Sequence, residues 1–131
     1  MILSLDRQVT SYELSHDLVE ADVAMNTMFF WVNYIDGRIQ VETARVAKKQ
    51  HQFCSAYTSS ELGYLLPACV KTFWRMVEDK GPRYFCEYEA EDIEPIGTRA
   101  KTEVDARGLM LIEISKLKTI PKTEFWRYYE D

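Results

Sequence analysis

Two histidines, three cysteines and a band of carboxylates are the groups in this chain most able to do chemistry. Ser15-His16-Asp17 places the side-chain types of a hydrolytic triad in consecutive positions. On a helix, neighbouring side chains are set about 100° apart, so these three cannot converge and read as surface residues. His51-Gln52-Phe53-Cys54 offers two metal donors. A structural zinc takes four ligands and a catalytic one takes three plus water. Cys69 and Cys86 could complete such a set only through the fold, and no metal is expected. No nucleophile–base pair is legible, so no catalytic residue is assigned.

Anion recognition has one weak candidate. The chain has no glycine-rich phosphate loop. Gly97, Thr98 and Arg99, with Lys101 and Thr102 just ahead of a helix, could hold an anion through hydroxyls, cations and the helix N-terminus. A second candidate is aromatic. Phe29 and Trp31 fall in a hairpin, and Trp126, Tyr128 and Tyr129 fall in the C-terminal tail. Either the tail covers the hairpin face as a satellite core, or these rings form a surface for a protein partner or a second copy of the chain. Glu87, Glu89, Glu91, Asp92 and Glu94 read as a solvated edge and loop, or as an acidic patch for a basic partner. No cofactor is indicated.

Composition narrows the class. A chain of 131 residues, 47% hydrophobic and 28% charged, suits one domain with its own core. Net charge of −5 argues against nucleic-acid binding, since such domains are usually basic. Arg45, Lys48 and Lys49 are the nearest thing to a basic patch. An odd number of unclustered cysteines and a start without a basic-then-apolar leader suggest a reducing cytosol. No apolar run is long enough to cross a membrane.

The positioning elements begin with three Thr-x-x-acid caps, at Thr10–Glu13, Thr58–Glu61 and Thr102–Asp105. In this pattern the hydroxyl accepts from the backbone three residues on and the carboxylate reaches back. Helices are expected from Thr10 to about Asp22, Thr58 to Leu66 and Thr102 to about Lys118. Gly108 inside the last suggests close approach of a strand or ring. Residues 27–43 read as a hairpin about Asp36-Gly37 with a type I′ turn. That register places Met28, Phe30, Val32, Tyr34, Ile39 and Val41 on the core face. Residues 44–57 are ambiguous, with a short strand possible from Gln52 to Tyr57. Val70–Glu78 and Arg83–Ala90 form a second hairpin, and Glu91–Ala100 an acidic loop. The expected fold is α+β: an antiparallel sheet of about four strands, in two hairpins, packed by about three helices over residues 1–120. Residues 121–131 form an aromatic tail.

Ser11-Tyr12-Glu13-Leu14, Met28-Phe29-Phe30-Trp31, the block Cys54 to Pro67 and the block Lys101 to Ile112 together resemble a family of small proteins. Phages and prophages encode them, many from gut Bacteroidota. The resemblance frames residues 8–118 and implies a viral or prophage origin. The family has no established activity, so it assigns no catalytic residue. The expectation is a non-enzymatic accessory protein that binds a host or viral macromolecule. The alternatives are a nucleotide-like anion binder or sponge, and an enzyme of unknown reaction.

Overall fold

Three hydroxyl residues start the long helices, each by a different arrangement. The computed structural model describes residues 4–23, 26–50, 52–67, 69–89 and 94–117. A short 3-10 turn, Leu5–Arg7, leads to helix α1, Tyr12–Glu20. Ser11, not Thr10, caps α1 and accepts from the Leu14 N–H at 3.3 Å. Strands β1 (Phe29–Asn33) and β2 (Ile39–Thr43) follow, then one helical turn, α2 (Ala44–Ala47), and strand β3 (Phe53–Ala56). Helix α3 (Ser59–Leu65) carries the full reciprocal box: Thr58 accepts from Glu61 N–H, and Glu61 accepts from Thr58 N–H at 2.8 Å. Strands β4 (Lys71–Val77), β5 (Gly81–Tyr88) and β6 (Ile96–Ala100) precede helix α4, Glu103–Ser115.

The strands form two antiparallel sheets of three, ordered β2-β1-β3 and β4-β5-β6, in place of a single sheet of four. The α+β class holds, and the possible strand ending the ambiguous stretch is β3. The segment expected as an acidic loop contains β6. Ile96, Thr98 and Ala100 alternate there behind Pro95, and the glycine at 97 obscures the pattern. Residues 121–131, with Trp126, Tyr128 and Tyr129, lie outside the described residues, as do His51, Glu91 and Asp92.

The first hairpin differs from expectation by one residue. Tyr34 N–H bonds to Arg38 C=O and Gly37 N–H to Tyr34 C=O, with only Gly37 at positive φ (93°). This is a three-residue loop with a glycine bulge, not a two-residue type I′ turn. Trp31 therefore pairs with Val41 and with Cys54. A slip of one residue moves a strand's side chains to the opposite face, so Val41 joins Trp31 instead of Val32. Met28 and Ile39, expected in the core, are exposed. Val32 is fully buried on the other face, and α2, with buried Ala47, packs back against β1 and β2.

The main core lies between α4 and its neighbours. Leu14 and Leu18 of α1, Leu62 and Leu65 of α3, Cys86 and Tyr88 of β5 and Met110, Leu111 and Ile114 of α4 form one buried cluster. Helix α4 packs against β5 and β6, α3 and α1, which accounts for its apolar residues nearly all round. The close neighbour of Gly108 is α1 with the residue leading into it, not a strand or ring. A Cβ there would sit 3.0 Å from Leu14 Cδ2 and 3.2 Å from Thr10 Cγ2. At the start of α4, Thr102 accepts from Asp105 N–H at 3.2 Å, but the Asp105 carboxylate turns away and accepts from Ser11 N–H at 2.9 Å. The two helix starts are thereby tied together.

Gly108→Ala gains up to about 1 kcal/mol of helix propensity but forces methyls apart in a filled core, which costs about 1–3 kcal/mol. A net loss of about 1 kcal/mol is expected in denaturant unfolding, and a stabilised variant would show that α1 yields freely.

Burial raises the Asp105 carboxyl above its ordinary value, although the Ser11 N–H and the Thr102 hydroxyl lower it. Its native state thus holds the proton more tightly than the unfolded chain does. Its contribution falls as pH rises from the unfolded pKa through the folded one, and is constant above. Asp105→Asn keeps an acceptor for Ser11 N–H. The stability difference, wild type minus variant, is expected to fall with rising pH across the acidic range. Unfolding curves at a series of pH values check this, and a difference that grows with pH contradicts it.

Candidate functional site

Helix α4 begins where the chain leaves β6, which brings Lys101 and Thr102 beside residues from two distant segments. Arg7 and Gln8 come from the N-terminal turn, and Thr58, Ser59 and Ser60 come from the start of α3. With Tyr84, Glu103 and Val104 they line a cleft of about 480 Å³. The N–H groups of Glu103 and Val104 belong to the first turn of a 13-residue helix, where the backbone has no intrahelical acceptor. Arg7 and Lys101 make no ion pair among the described residues.

The acidic member of the cleft is already neutralised. Glu103 Oε1 accepts from Ser59 Oγ at 3.2 Å and meets Arg107 Nη2 at 3.1 Å. Arg107 also donates through Nη1 to Ser59 C=O at 2.8 Å and through Nε to Thr72 Oγ1 at 3.4 Å. It therefore joins α4, α3 and β4. On its far side lies a second cavity of about 530 Å³, lined by Ser60, Gly63, Tyr64, Leu66, Pro67, Val70 and Thr72. Arg107 lines this second cavity, and its guanidinium pairs with the one carboxylate that lines the first.

The five residues expected to hold an anion separate into two groups. Lys101 and Thr102 line the cleft. Gly97, Thr98 and Arg99 are strand residues of β6, and the Thr98 hydroxyl is committed to the Ala106 carbonyl at 2.8 Å. Nothing in the sequence tied Arg7, Thr58, Ser59 or Ser60 to this cleft, because the N-terminal turn and the start of α3 reach it only through tertiary packing. Of the expected partner surface, Trp31 is turned inward. It is 9% exposed, its Nε1–H donates to Thr10 C=O at 2.8 Å, and Tyr12 meets it edge-on at 6.0 Å. Phe29 packs against the same small cluster with Val9 and Ala56. Among the described residues, the tryptophan that does face solvent is Trp74, on the edge strand β4.

A thiol and an imidazole line one cavity, though not those the sequence paired. Cys54 and His16 share a cavity of about 280 Å³ with Tyr12 and Trp31. His16 stands edge-on to Tyr12 at 4.6 Å. Cys54 Sγ donates weakly to Ser55 C=O at 3.6 Å. Burial pushes the Cys54 thiol up to about 11, and burial also raises Cys86. An activated nucleophilic cysteine has its pKa lowered instead. Among the described residues no group of three metal-ligating side chains occurs, and no helix is long and apolar enough to cross a membrane.

Cys69 is exposed, whereas Cys86 is buried and Cys54 partly so. A colorimetric thiol reagent at mildly alkaline pH is expected to modify one equivalent quickly and the other two only on unfolding. Cys69→Ser should remove the fast phase; its persistence would mean that Cys54 carries a reactive thiolate. Comparison of the chain with family models, with curated proteins and with solved structures finds no match.

Proposed function

We propose that this chain is a non-enzymatic binding protein whose ligand is a small anion, of the phosphate-bearing kind, held in the cleft at the start of α4. One observation carries the reading: Arg7 and Lys101, unpaired with any carboxylate among the described residues, converge with Thr58, Ser60 and Thr102 on a single hollow of about 480 Å³. Such a hollow falls within the size range of small-molecule sites, where a few placed polar groups fix orientation. Cations, hydroxyls and the first-turn N–H groups of α4 are the donors that an anion needs. The Arg107–Glu103 pair favours the same reading, because it offsets the charge of the one carboxylate that lines the cleft. Binding without turnover fits the raised pKa of Cys54, the thiol that shares a cavity with His16. The setting implied by the family resemblance is accessory work, such as sequestering a nucleotide, for a phage or prophage in its host's cytoplasm.

Thermal unfolding in the presence of inorganic phosphate, mononucleotides and cyclic dinucleotides tests this. A ligand at 100 times its Kd stabilises by about 2.7 kcal/mol, which shifts Tm by several degrees in a domain of this size. The Arg7→Ala/Lys101→Ala double variant is expected to lose the shift while keeping its own unfolding cooperative. The absence of any shift at millimolar ligand overturns the proposal.

A further inference from the structure

The outer face of the second sheet gathers charge of one sign. Pairing sets Phe73 opposite Phe85, Phe85 opposite Arg99, Arg75 opposite Arg83 and Lys71 opposite Glu87. Side chains alternate faces along a strand. The intervening positions point at α4: Cys86 and Tyr88 are buried, and Thr98 bonds to Ala106. The first set therefore stands on the opposite face, where Lys71, Arg75 and Arg99 are exposed. Four cations meet one carboxylate, in a chain whose net charge is −5.

Two details go beyond a solvated patch. Arg75 directly faces Arg83, a like-charge cross-strand pair that disfavours the free protein. No carboxylate bridges them among the described residues. Arg83 turns its guanidinium to the carbonyls of Lys80 and Pro82, the second at 2.9 Å. Arg75 is held over the Phe85 ring at 4.5 Å, and Phe85 stacks on Phe73 at 5.4 Å with 7° between the planes. A cation–π contact orders the guanidinium and leaves its N–H edges for an outside acceptor. An anion laid against Arg75 would relieve the repulsion between Arg75 and Arg83.

We infer that this face binds single-stranded nucleic acid, with phosphates on Lys71, Arg75 and Arg99 and bases against the Phe73–Phe85 pair and the plane of Arg75. The face is a three-stranded surface about 10 Å wide. Duplex grooves are read by a helix or a two-stranded ribbon that enters them, and no such element projects from it. Single strands lie along open sheets that offer aromatic and guanidinium planes. An acidic protein segment would use the cations but not the rings. The electrostatic footprint of such a site is local, so the whole-chain charge that argued against nucleic acid does not decide the matter. The site is separate from the cleft at α4 and does not rest on what that cleft binds.

Fluorescence anisotropy of the full chain with a labelled oligothymidine of about 20 nucleotides tests the assignment. The expected Kd lies between about 1 and 100 μM near physiological salt. With three phosphate contacts the expected slope of log K on log salt is near −2, at about −0.7 per contact. Arg75→Glu/Arg99→Glu should weaken binding at least tenfold. Phe73→Leu should weaken it with the salt slope unchanged. Circular dichroism and cooperative thermal unfolding of each variant report whether the rest of the molecule is intact. Should the charge-reversed pair not fold, Arg99→Gln alone should reduce the slope by about 0.7. No binding at low salt, no effect of the folded variants, or equal binding of duplex or of polyglutamate each overturns the inference.

Discussion

Thr10 is completely buried, and each of its polar atoms has a partner. Its N–H donates to Tyr57 C=O and its hydroxyl accepts from Tyr57 N–H. Its carbonyl accepts from Trp31 Nε1, and its hydroxyl lies 2.6 Å from that of Ser15. One residue thus fixes the approach to α1, the exit from β3 and the tilt of the central ring of the first sheet. Its methyl stands where a side chain at position 108 would go, so α4 closes on the same point. A buried polar node of this kind is stable only when complete, since each unmet donor or acceptor costs about 1–3 kcal/mol. The close seating of α4 against α1 and the cleft that forms at the start of α4 both depend on it.

This node explains why the caps were only partly legible. The three Thr-x-x-acid patterns are equivalent as local sequence, and each does mark a helix start to within a residue or two. Only Thr58 and Glu61 keep both bonds local: Glu61 accepts from Thr58 N–H through one oxygen and meets the distant Met28 N–H with the other. Thr10 is drawn inward by Tyr57 and Ser15 and leaves the cap to Ser11. Asp105 finds a better donor in Ser11 than in the backbone of Thr102. Which carboxylate reaches back is decided by neighbours that are distant in sequence. The first hairpin follows the same rule. Asp-Gly signals a turn correctly, but the loop closes on three residues instead of two, so Val41 packs with Trp31. Of the cleft, Lys101 and Thr102 were visible because they flank a recognisable helix start. Arg7 and Ser60 were not, because no local pattern ties them to it.

Charge is partitioned in this molecule, and its total describes it poorly. Arg107 is spent on internal bonds to Ser59, Glu103 and Thr72. The pair with Glu103, partly screened by solvent, contributes modestly to stability. Its larger effect is geometric: a cation and an anion are fixed against each other, and the remaining cations of that region are left in excess. The outer face of β4-β5-β6 shows a similar excess at a second place. An acidic chain can thus present two basic surfaces, provided that its carboxylates lie elsewhere.

The bond from Ser11 N–H to Asp105 joins residues 94 positions apart. Hairpins and single helical turns close within microseconds, whereas contacts this distant wait for the whole intervening chain. On a ribosome that releases about 5–20 residues each second, the first helix spends several seconds without its final anchor. During that interval Leu14 and Leu18 have no α4 to cover them. The apolar face of α1 is therefore open to chaperones and proteases while the chain is being made, although Leu14 and Leu18 are buried once α4 has closed on them.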